Sequence, residues 1–235
     1  SVTNAKLLAA TTTGTITASI ATDESVDSLK TLYDTEETNA YSITITGSDA
    51  DASQSTAAEF IAINNATSLA VNAASVTALA SSSISDIKTL LTAGNDTDQF
   101  TAASFGSLET VVVSDSTLDV SDLIDAIGEA NTATGQSTQA DGATVFTISA
   151  ASTIEGGTAA NFTTLLTHEG NNLLEIGTQD LNVDSGTMTV ANAVAFSAAT
   201  GGTVTGEITS GTTIAAMLDG DSGLSETGHA LTITI

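Results

Sequence analysis

A short helical pattern recurs along this chain, with apolar residues at positions i, i+3 and i+4. Its clearest copy is ISDIKTLL (84–91), in which Ile87, Leu90 and Leu91 would share one helical face. The other strong copies are VDSLKTLY (26–33), VSDLIDAI (120–127), ANFTTLLT (160–167) and TTIAAMLD (212–219), and the weaker ones are AAEFIAIN (57–64) and ANAVAFSA (191–198). The pattern predicts a series of short helices, each with one buried face.

Runs rich in Thr, Val and Ile, with alternating apolar and polar positions, separate these helices and are typical of strands. We predict strands at 13–20, 41–46, 68–76, 108–115, 143–150, 172–178, 202–209 and 230–235. Helix and strand therefore alternate along the chain. Strands that are joined by a helical crossover are expected to be parallel, with right-handed connections.

The spacing of the helices indicates a repeat architecture. Their first apolar anchors fall at positions 29, 60, 87, 123, 162, 193 and 214, a drifting period of about 30 residues. In β/α solenoids of this period, each coil contributes one strand and one short helix. We therefore predict a solenoid-like α/β repeat protein, in which residues 1–235 form a single array of about seven strand-helix units. The Gly- and Thr-rich stretch 128–142 is either a protruding loop or a weak boundary.

Two other folds also alternate strands and helices or stack parallel strands: a doubly wound α/β domain and a β-helix. Strands buried on both faces of a doubly wound sheet are expected to be almost continuously apolar, whereas these strands contain Thr and Ser. No Gly-rich phosphate loop follows the first predicted strand. The solenoid is therefore the favoured fold, with the other two as alternatives.

The composition favours thin stacked layers over one thick core. Only 3% of the 235 residues are aromatic, and the apolar residues are mostly Ala, Val, Ile and Leu. Proline and cysteine are both absent, so Gly, Asn and Asp must form the turns, and thiolate chemistry is excluded. Since the chain begins at Ser1 without a signal-like segment, we expect a mature product or an excerpt of a longer one.

The charge excludes several partners. Three Lys, no Arg and 28 acidic residues give a formal net charge of −25. Nucleic acids and anionic membrane surfaces both require cationic side chains, so neither is expected as a partner. Nor does any stretch approach the roughly 18–20 apolar residues that cross a bilayer, so no membrane insertion is expected.

Acidic pairs beside glycine are the candidate metal ligands. The segments GSDADAS (47–53), GNDTDQF (94–100) and DGDSG (219–223) each place two carboxylates two residues apart. Carboxylate oxygens in a flexible loop suit calcium, which prefers hard oxygen ligands. The candidate calcium ligands are Asp49, Asp51, Asp96, Asp98, Asp219 and Asp221. No other cofactor is predicted, and in so acidic a chain the alternative is that these carboxylates are simply solvated.

Candidate catalytic residues are few. His168 falls at the end of a predicted helix, where a cation is favoured by the helix dipole, and His229 precedes the last predicted strand. Neither lies near a Gly-x-Ser-x-Gly elbow, and the shortage of aromatic residues and Arg argues against an enzyme acting on polysaccharide. We therefore predict a non-enzymatic protein. Lys30 and Lys88 occupy the same place in their repeats, where each is positioned to pair with acids on a neighbouring coil.

The segments ANAVAFSAATGGTVTGEITSGTTIAAMLDGD (191–221) and ALTITI (230–235) carry a resemblance to a known group of proteins. Their Lys-poor, Pro-free, Thr/Ala/Asp-rich composition resembles the repeat regions of large bacterial surface proteins of the S-layer and adhesin type. The resemblance implies an extracellular, cell-surface location, calcium-assisted folding or assembly, and a structural or adhesive role. Intact calcium-binding nonapeptides and a recognisable anchor signal are absent from this sequence.

The open edges of a solenoid supply a mechanism for such a role. The segment ALTITI is an alternating strand without a polar cap, so we expect further chain or a neighbouring subunit to cover it. The predicted function is therefore a structural protein that self-assembles through its repeat edges into a layer, sheath or filament. The alternative is an adhesin or phage-fibre module that binds surface glycans.

Overall fold

A computed structural model describes residues 1–32, 39–46, 55–148, 152–209 and 229–233. Within these residues short helices alternate with short strands, and every strand pairing is parallel. The chain therefore has an α/β fold with parallel sheets, as the sequence predicted.

The helices begin at polar residues that cap them. They are α1 (Val2–Ala9), α2 (Val26–Leu29), α3 (Ala57–Asn64), α4 (Ile84–Gly94), α5 (Val120–Thr134), α6 (Ala159–Gly170) and α7 (Val190–Ala199). At α4 the hydroxyl of Ser83 accepts the N–H of Asp86, and α3, α6 and α7 begin with capping boxes. Ile87, Leu90 and Leu91 are completely buried, which confirms the apolar face predicted for the 84–91 segment.

The strands form three sheets. They are β1 (Thr17–Ser19), β2 (Ala40–Ser42), β3 (Ala78–Ser82), β4 (Thr110–Val113), β5 (Thr117–Asp119), β6 (Val145–Ile148), β7 (Thr153–Glu155), β8 (Asp180–Met188), β9 (Val204–Ile208) and β10 (Ala230–Ile233). The sheet orders are β1-β2, β3-β4-β6 and β10-β9-β8-β7-β5. Isolated parallel bridges join Thr44 to Asn72 and Val71 to Phe100.

Two predicted strands are wrong. Segments 68–76 and 172–178 form only isolated bridges, and the strands lie further on, at β3 and β8. In the second segment Leu173, Leu174 and Ile176 are buried. The apolar pattern there is therefore that of a buried turn and not that of a strand. The Asp, Asn and Gly residues of β8 favour a turn, yet β8 forms because it pairs with β7 on one side and β9 on the other.

Helical structure also extends beyond the predicted segments. Residues 128–134, predicted as the start of a loop, continue α5, and a short 3-10 helix follows at Gln139–Asp141. Helix α1 has no counterpart among the predicted helices. The predicted helix at 212–219, together with Tyr33 at the end of the first repeat, lies outside the described residues.

The chain divides into two compact units. Unit 1 comprises residues 1–113 and 126–145, and unit 2 comprises residues 114–125 and 146–235. In unit 1 the buried rings of Phe60, Phe100 and Phe105 form the centre of the core, and in unit 2 the rings of Phe162 and Phe196 pack together. The predicted single array and the boundary within 128–142 remain predictions.

Candidate functional site

Polar side chains tie together segments that are distant in sequence, in both units. In unit 1 these side chains bond to backbone atoms 23 to 36 residues earlier in the chain. The bonds are Ile16 N–H to Asn39 Oδ1 (2.8 Å), Tyr41 N–H to Thr67 Oγ1 (2.9 Å), Ala73 N–H to Ser104 Oγ (3.1 Å) and Thr144 Oγ1–H to Leu108 O (2.8 Å). We call these residues and their counterparts in unit 2 the polar ladder.

Unit 2 repeats this arrangement. Ser152 donates to Asp115 O at 2.7 Å, Thr200 donates to Gln179 O, and the ring Nδ1 of His229 accepts the N–H of Val204 at 3.1 Å. Each bond gives a backbone group a hydrogen-bond partner, and a buried backbone group without one is costly. The polar ladder therefore stabilises the contact between segments that are 21 to 37 residues apart in the chain.

Sequence reasoning missed the polar ladder, although a weak signal was present. The dipeptides Ala66-Thr67, Ala143-Thr144 and Ala199-Thr200 each stand between a helix and the next paired strand residue. In a chain so rich in Thr and Ala, such a dipeptide is common by composition. The dipeptides can be recognised as positions of the polar ladder only when the ends of the helices and strands are known.

The substitution Ser104→Ala is expected to lower the free energy of unfolding by about 1–3 kcal/mol. Ser104 and Ala73 are both buried, so the N–H of Ala73 loses its hydrogen bond where water does not replace it. The measurement is urea unfolding followed by circular dichroism. Ser68→Ala is the matched control: Ser68 donates to Asn39 O, 29 residues earlier, but it is exposed, so water can replace the lost bond and we expect an effect below about 0.5 kcal/mol. Equal losses in the two variants would contradict a special role of the buried members of the polar ladder.

Asp96 and Asp98 lie in one turn after α4. One carboxylate oxygen of Asp96 accepts the N–H of Asp98 at 3.0 Å, and the other accepts the side-chain amide of Gln99 at 3.1 Å. These bonds lower the pKa of Asp96, the N–H of Asp98 contributing most. Asp96 thus closes the turn, and Asp98 is the freer carboxylate of the pair.

Asp98 lines a shallow polar depression at the end of α3. The other lining residues are Asn64, Asn65, Thr67, Ser68 and Gln99. The side-chain amide of Asn64 donates to the side-chain oxygen Oε1 of Gln99 at 3.2 Å, and this bond fixes one wall of the depression. The depression offers one carboxylate and several amide groups, which suit hydroxyl groups or a hydrated cation.

The remaining candidate calcium ligands, Asp49, Asp51, Asp219 and Asp221, lie outside the described residues. Among the residues that are described, no group of three or more His, Asp or Glu side chains is arranged to hold a metal ion. The structure therefore brings Asp96 and Asp98 together in a turn, and no third acidic ligand joins them within the described ranges.

The surroundings of both histidines indicate structural roles. Burial lowers the pKa of His168, in the last turn of α6, so its ring is neutral at pH 7 and does not act as the cation favoured by its position. Burial also raises the pKa of the adjacent Glu169, although the N–H of Ile176 donates to its carboxylate at 3.1 Å. His229 belongs to the polar ladder.

Lys30 links two adjacent helices, as predicted. From the C-cap position of α2, its ammonium donates to Asp27 of α2 and to Glu59 of α3, the latter at 2.6 Å. These two hydrogen bonds raise the pKa of Lys30, the one to Asp27 most. Burial raises the pKa of Glu59, but the bonds from Lys30 and from the N–H of Thr56 outweigh it, so the net pKa is lowered.

The geometry thus defines a class of protein, an α/β fold with parallel sheets in which polar side chains bond to backbone atoms 21 to 37 residues away in the chain. No family model, curated protein or solved structure matches the chain. No helix in the described ranges is both long and apolar enough to cross a membrane.

Proposed function

We propose that each unit is a solenoid and that the chain is a non-enzymatic, extracellular structural protein that self-assembles through its repeat edges. The observation that carries the proposal is the order of pairing. In the five-stranded sheet, β7, β8, β9 and β10 pair in chain order, and every partner is parallel. Since each coil contacts only its neighbours, such a stack has no closed end.

Helix packing supports the same proposal. Helix α3 packs against α2 and α4, and in unit 2 α6 packs against α7. The helices therefore stack coil upon coil, beside the stacked strands. The composition suits an exposed surface protein, because a net charge of −25 keeps separate molecules soluble and is screened by salt or divalent cations.

The edge strand β10 is the element through which assembly would proceed. It stands at the end of the sheet order, and Ile233 on it is 39% exposed. The backbone groups along an exposed parallel strand are a template for another strand. A surface layer, sheath or filament follows if another copy pairs there.

Assembly is tested by negative-stain electron microscopy of the protein with and without calcium. We expect ordered fibres or sheets, with calcium promoting them by screening carboxylates. Deleting residues 230–235 is expected to abolish assembly, and Val112→Ser is the control, since Val112 is an exposed apolar residue on a different sheet. Monodisperse monomers of the intact protein under both conditions would overturn the proposal.

The polar depression beside Asp98 favours a second candidate, a module that binds surface glycans. Asp, Asn and Gln side chains are suited to sugar hydroxyl groups. However, the aromatic side chains in the described part of the chain are all buried, so no ring there is available for stacking on a sugar. Glycan-array binding that is lost in Asp98→Ala, together with a monomeric protein, would favour this candidate.

A further inference from the structure

His229 is the one titratable side chain of the polar ladder, among the members that the structure describes. The other members bond through amide or hydroxyl groups, which do not change their charge near neutral pH. They are Asn39, Thr67, Ser104, Thr144, Ser152 and Thr200. The titratable member stands directly before β10, the strand at the end of the five-stranded sheet.

Asn39 has the equivalent position in unit 1. It directly precedes β2, and its Oδ1 accepts the N–H of Ile16, the residue directly before β1. In unit 2 the Nδ1 of His229 accepts the N–H of Val204, the first residue of β9. In both cases the bond comes one residue before the first matched pair of the parallel register. The same place is therefore occupied by an amide in unit 1 and by an imidazole in unit 2.

The bond from Val204 determines where the proton of the His229 ring lies. A backbone N–H only donates, so Nδ1 must offer its lone pair, and the proton of the neutral ring is then on Nε2. A second proton would go to Nδ1 and turn this acceptor into a donor that faces another donor. Nε2 is buried and has no hydrogen-bond partner among the described residues, so the cationic ring would gain no compensating contact there. Protonation and the bond from Val204 therefore exclude each other.

Few other contacts hold β10 in the described part of the chain. The strand pairs with β9 alone, over the residues Ala230–Ile233. Of its four side chains only that of Leu231 is half-buried, and the other three are exposed. Loss of the His229 bond would thus remove one of the few contacts that keep β10 on the sheet.

The charged groups on the described elements around β10 are carboxylates. On β9, Glu207 is in register with Thr232, three residues beyond His229 and about 10 Å along the strand. On β8, the carboxylates of Asp180 and Asp184 accept backbone N–H groups at 2.7 and 3.2 Å. Helix α7, which packs against β9, has no titratable side chain. Since carboxyl groups ordinarily titrate near about pH 4 and imidazole near about pH 6.5, mild acidification acts on the histidine.

We propose that His229 is a pH-sensitive latch, which holds β10 against β9 while its ring is neutral and releases the strand when the ring is protonated. The docked strand is favoured above about pH 6.5, and the released strand is increasingly favoured as the pH falls below it. Both strands belong to the same molecule, so the inference goes beyond the proposed self-assembly and does not depend on it.

Hydrogen–deuterium exchange of β10, followed by mass spectrometry on the dilute monomeric protein, tests the latch. Because only the released ring takes up the proton, the ratio of released to docked strand should rise about tenfold between about pH 7.5 and about pH 5.5. The protection of the β10 amides, corrected for the effect of pH on intrinsic exchange, should fall by the same factor. His229→Asn is the matched variant, since Asn39 shows that an asparagine oxygen accepts such a bond. This variant should keep the protection at the higher pH and lose the dependence on pH.

Two further variants separate His229 from other titratable groups. His168→Gln removes the other histidine and Glu207→Gln removes the carboxylate of β9, and both should retain the tenfold change. Nitrogen NMR of the unchanged protein should place the proton of the neutral His229 ring on Nε2. Protection that is equal at the two pH values, a pH dependence that survives in His229→Asn, or a neutral ring protonated on Nδ1 would each overturn the latch.

Discussion

Phe105→Ala is expected to lower the free energy of unfolding by about 3–5 kcal/mol. The ring of Phe105 is completely buried, and it meets Phe60 edge-on at 6.0 Å and Phe100 at 5.1 Å between ring centroids. Its removal costs the burial of the ring and both aromatic contacts, and it leaves a cavity that the surrounding coils fill only in part. Urea unfolding followed by far-ultraviolet circular dichroism measures the loss, since the chain has no Trp.

The backbone at Phe105 makes this substitution informative. Its φ is 58°, in the left-handed region that residues other than glycine seldom adopt. The buried ring compensates for that strain, and the alanine variant would keep the strain without the compensation. Phe105→Leu retains most of the apolar volume and should cost about half as much. If alanine costs less than about 1 kcal/mol, the ring cluster is not the centre of unit 1.

The sequence predicted helices best where an apolar face and a cap agree. At α4 the capping residue Ser83 and the buried face of Ile87, Leu90 and Leu91 both predict the same helix. The local sequence and the tertiary packing therefore agree there. Helix α1 was missed because its buried residues are Val2 and the small Ala5, which give only a weak apolar face.

Strands were harder to predict, because pairing with neighbouring strands, and not composition, determines which segments form them. Asp180, Asn182 and Asp184 read as turn residues, yet they lie in β8 because two neighbouring strands hold it. Conversely, Leu173 and Leu174 are buried in a turn. The three-residue strand β7 is held by β5 on one side and β8 on the other, so its own sequence carries little of the signal.

The candidate site could likewise be predicted from the sequence only in part. The pairing of Asp96 with Asp98 could be predicted from spacing, but their use in closing a turn depends on the direction of the Asp98 N–H. The polar ladder joins residues 21 to 37 positions apart, and that separation varies from coil to coil. No fixed spacing in the sequence therefore identifies its members.

Gly202→Ala is expected to destabilise unit 2 by about 3 kcal/mol or more. A Cβ at position 202 would stand 2.5 Å from the carbonyl oxygen of Gln179 and 2.7 Å from that of Thr178. These are backbone atoms, which cannot rotate away as the end of a side chain can. A Gly-Gly pair is typical of a turn, but the structure adds that Gly202 lets its own backbone approach that of Thr178 and Gln179 closely.

Gly128→Ala is the matched control for this prediction. Nothing lies within 4 Å of a Cβ at position 128, in the interior of α5, so alanine should stabilise the helix by about 0.5–1 kcal/mol. Thermal unfolding should therefore shift in opposite directions in the two variants. If Gly202→Ala were neutral, the backbone at Gly202 would have room to move away from Thr178 and Gln179, and the close stacking that the proposed solenoid requires would lose its physical basis. A loss confined to position 202 would instead show that backbone contact fixes the distance between these two segments.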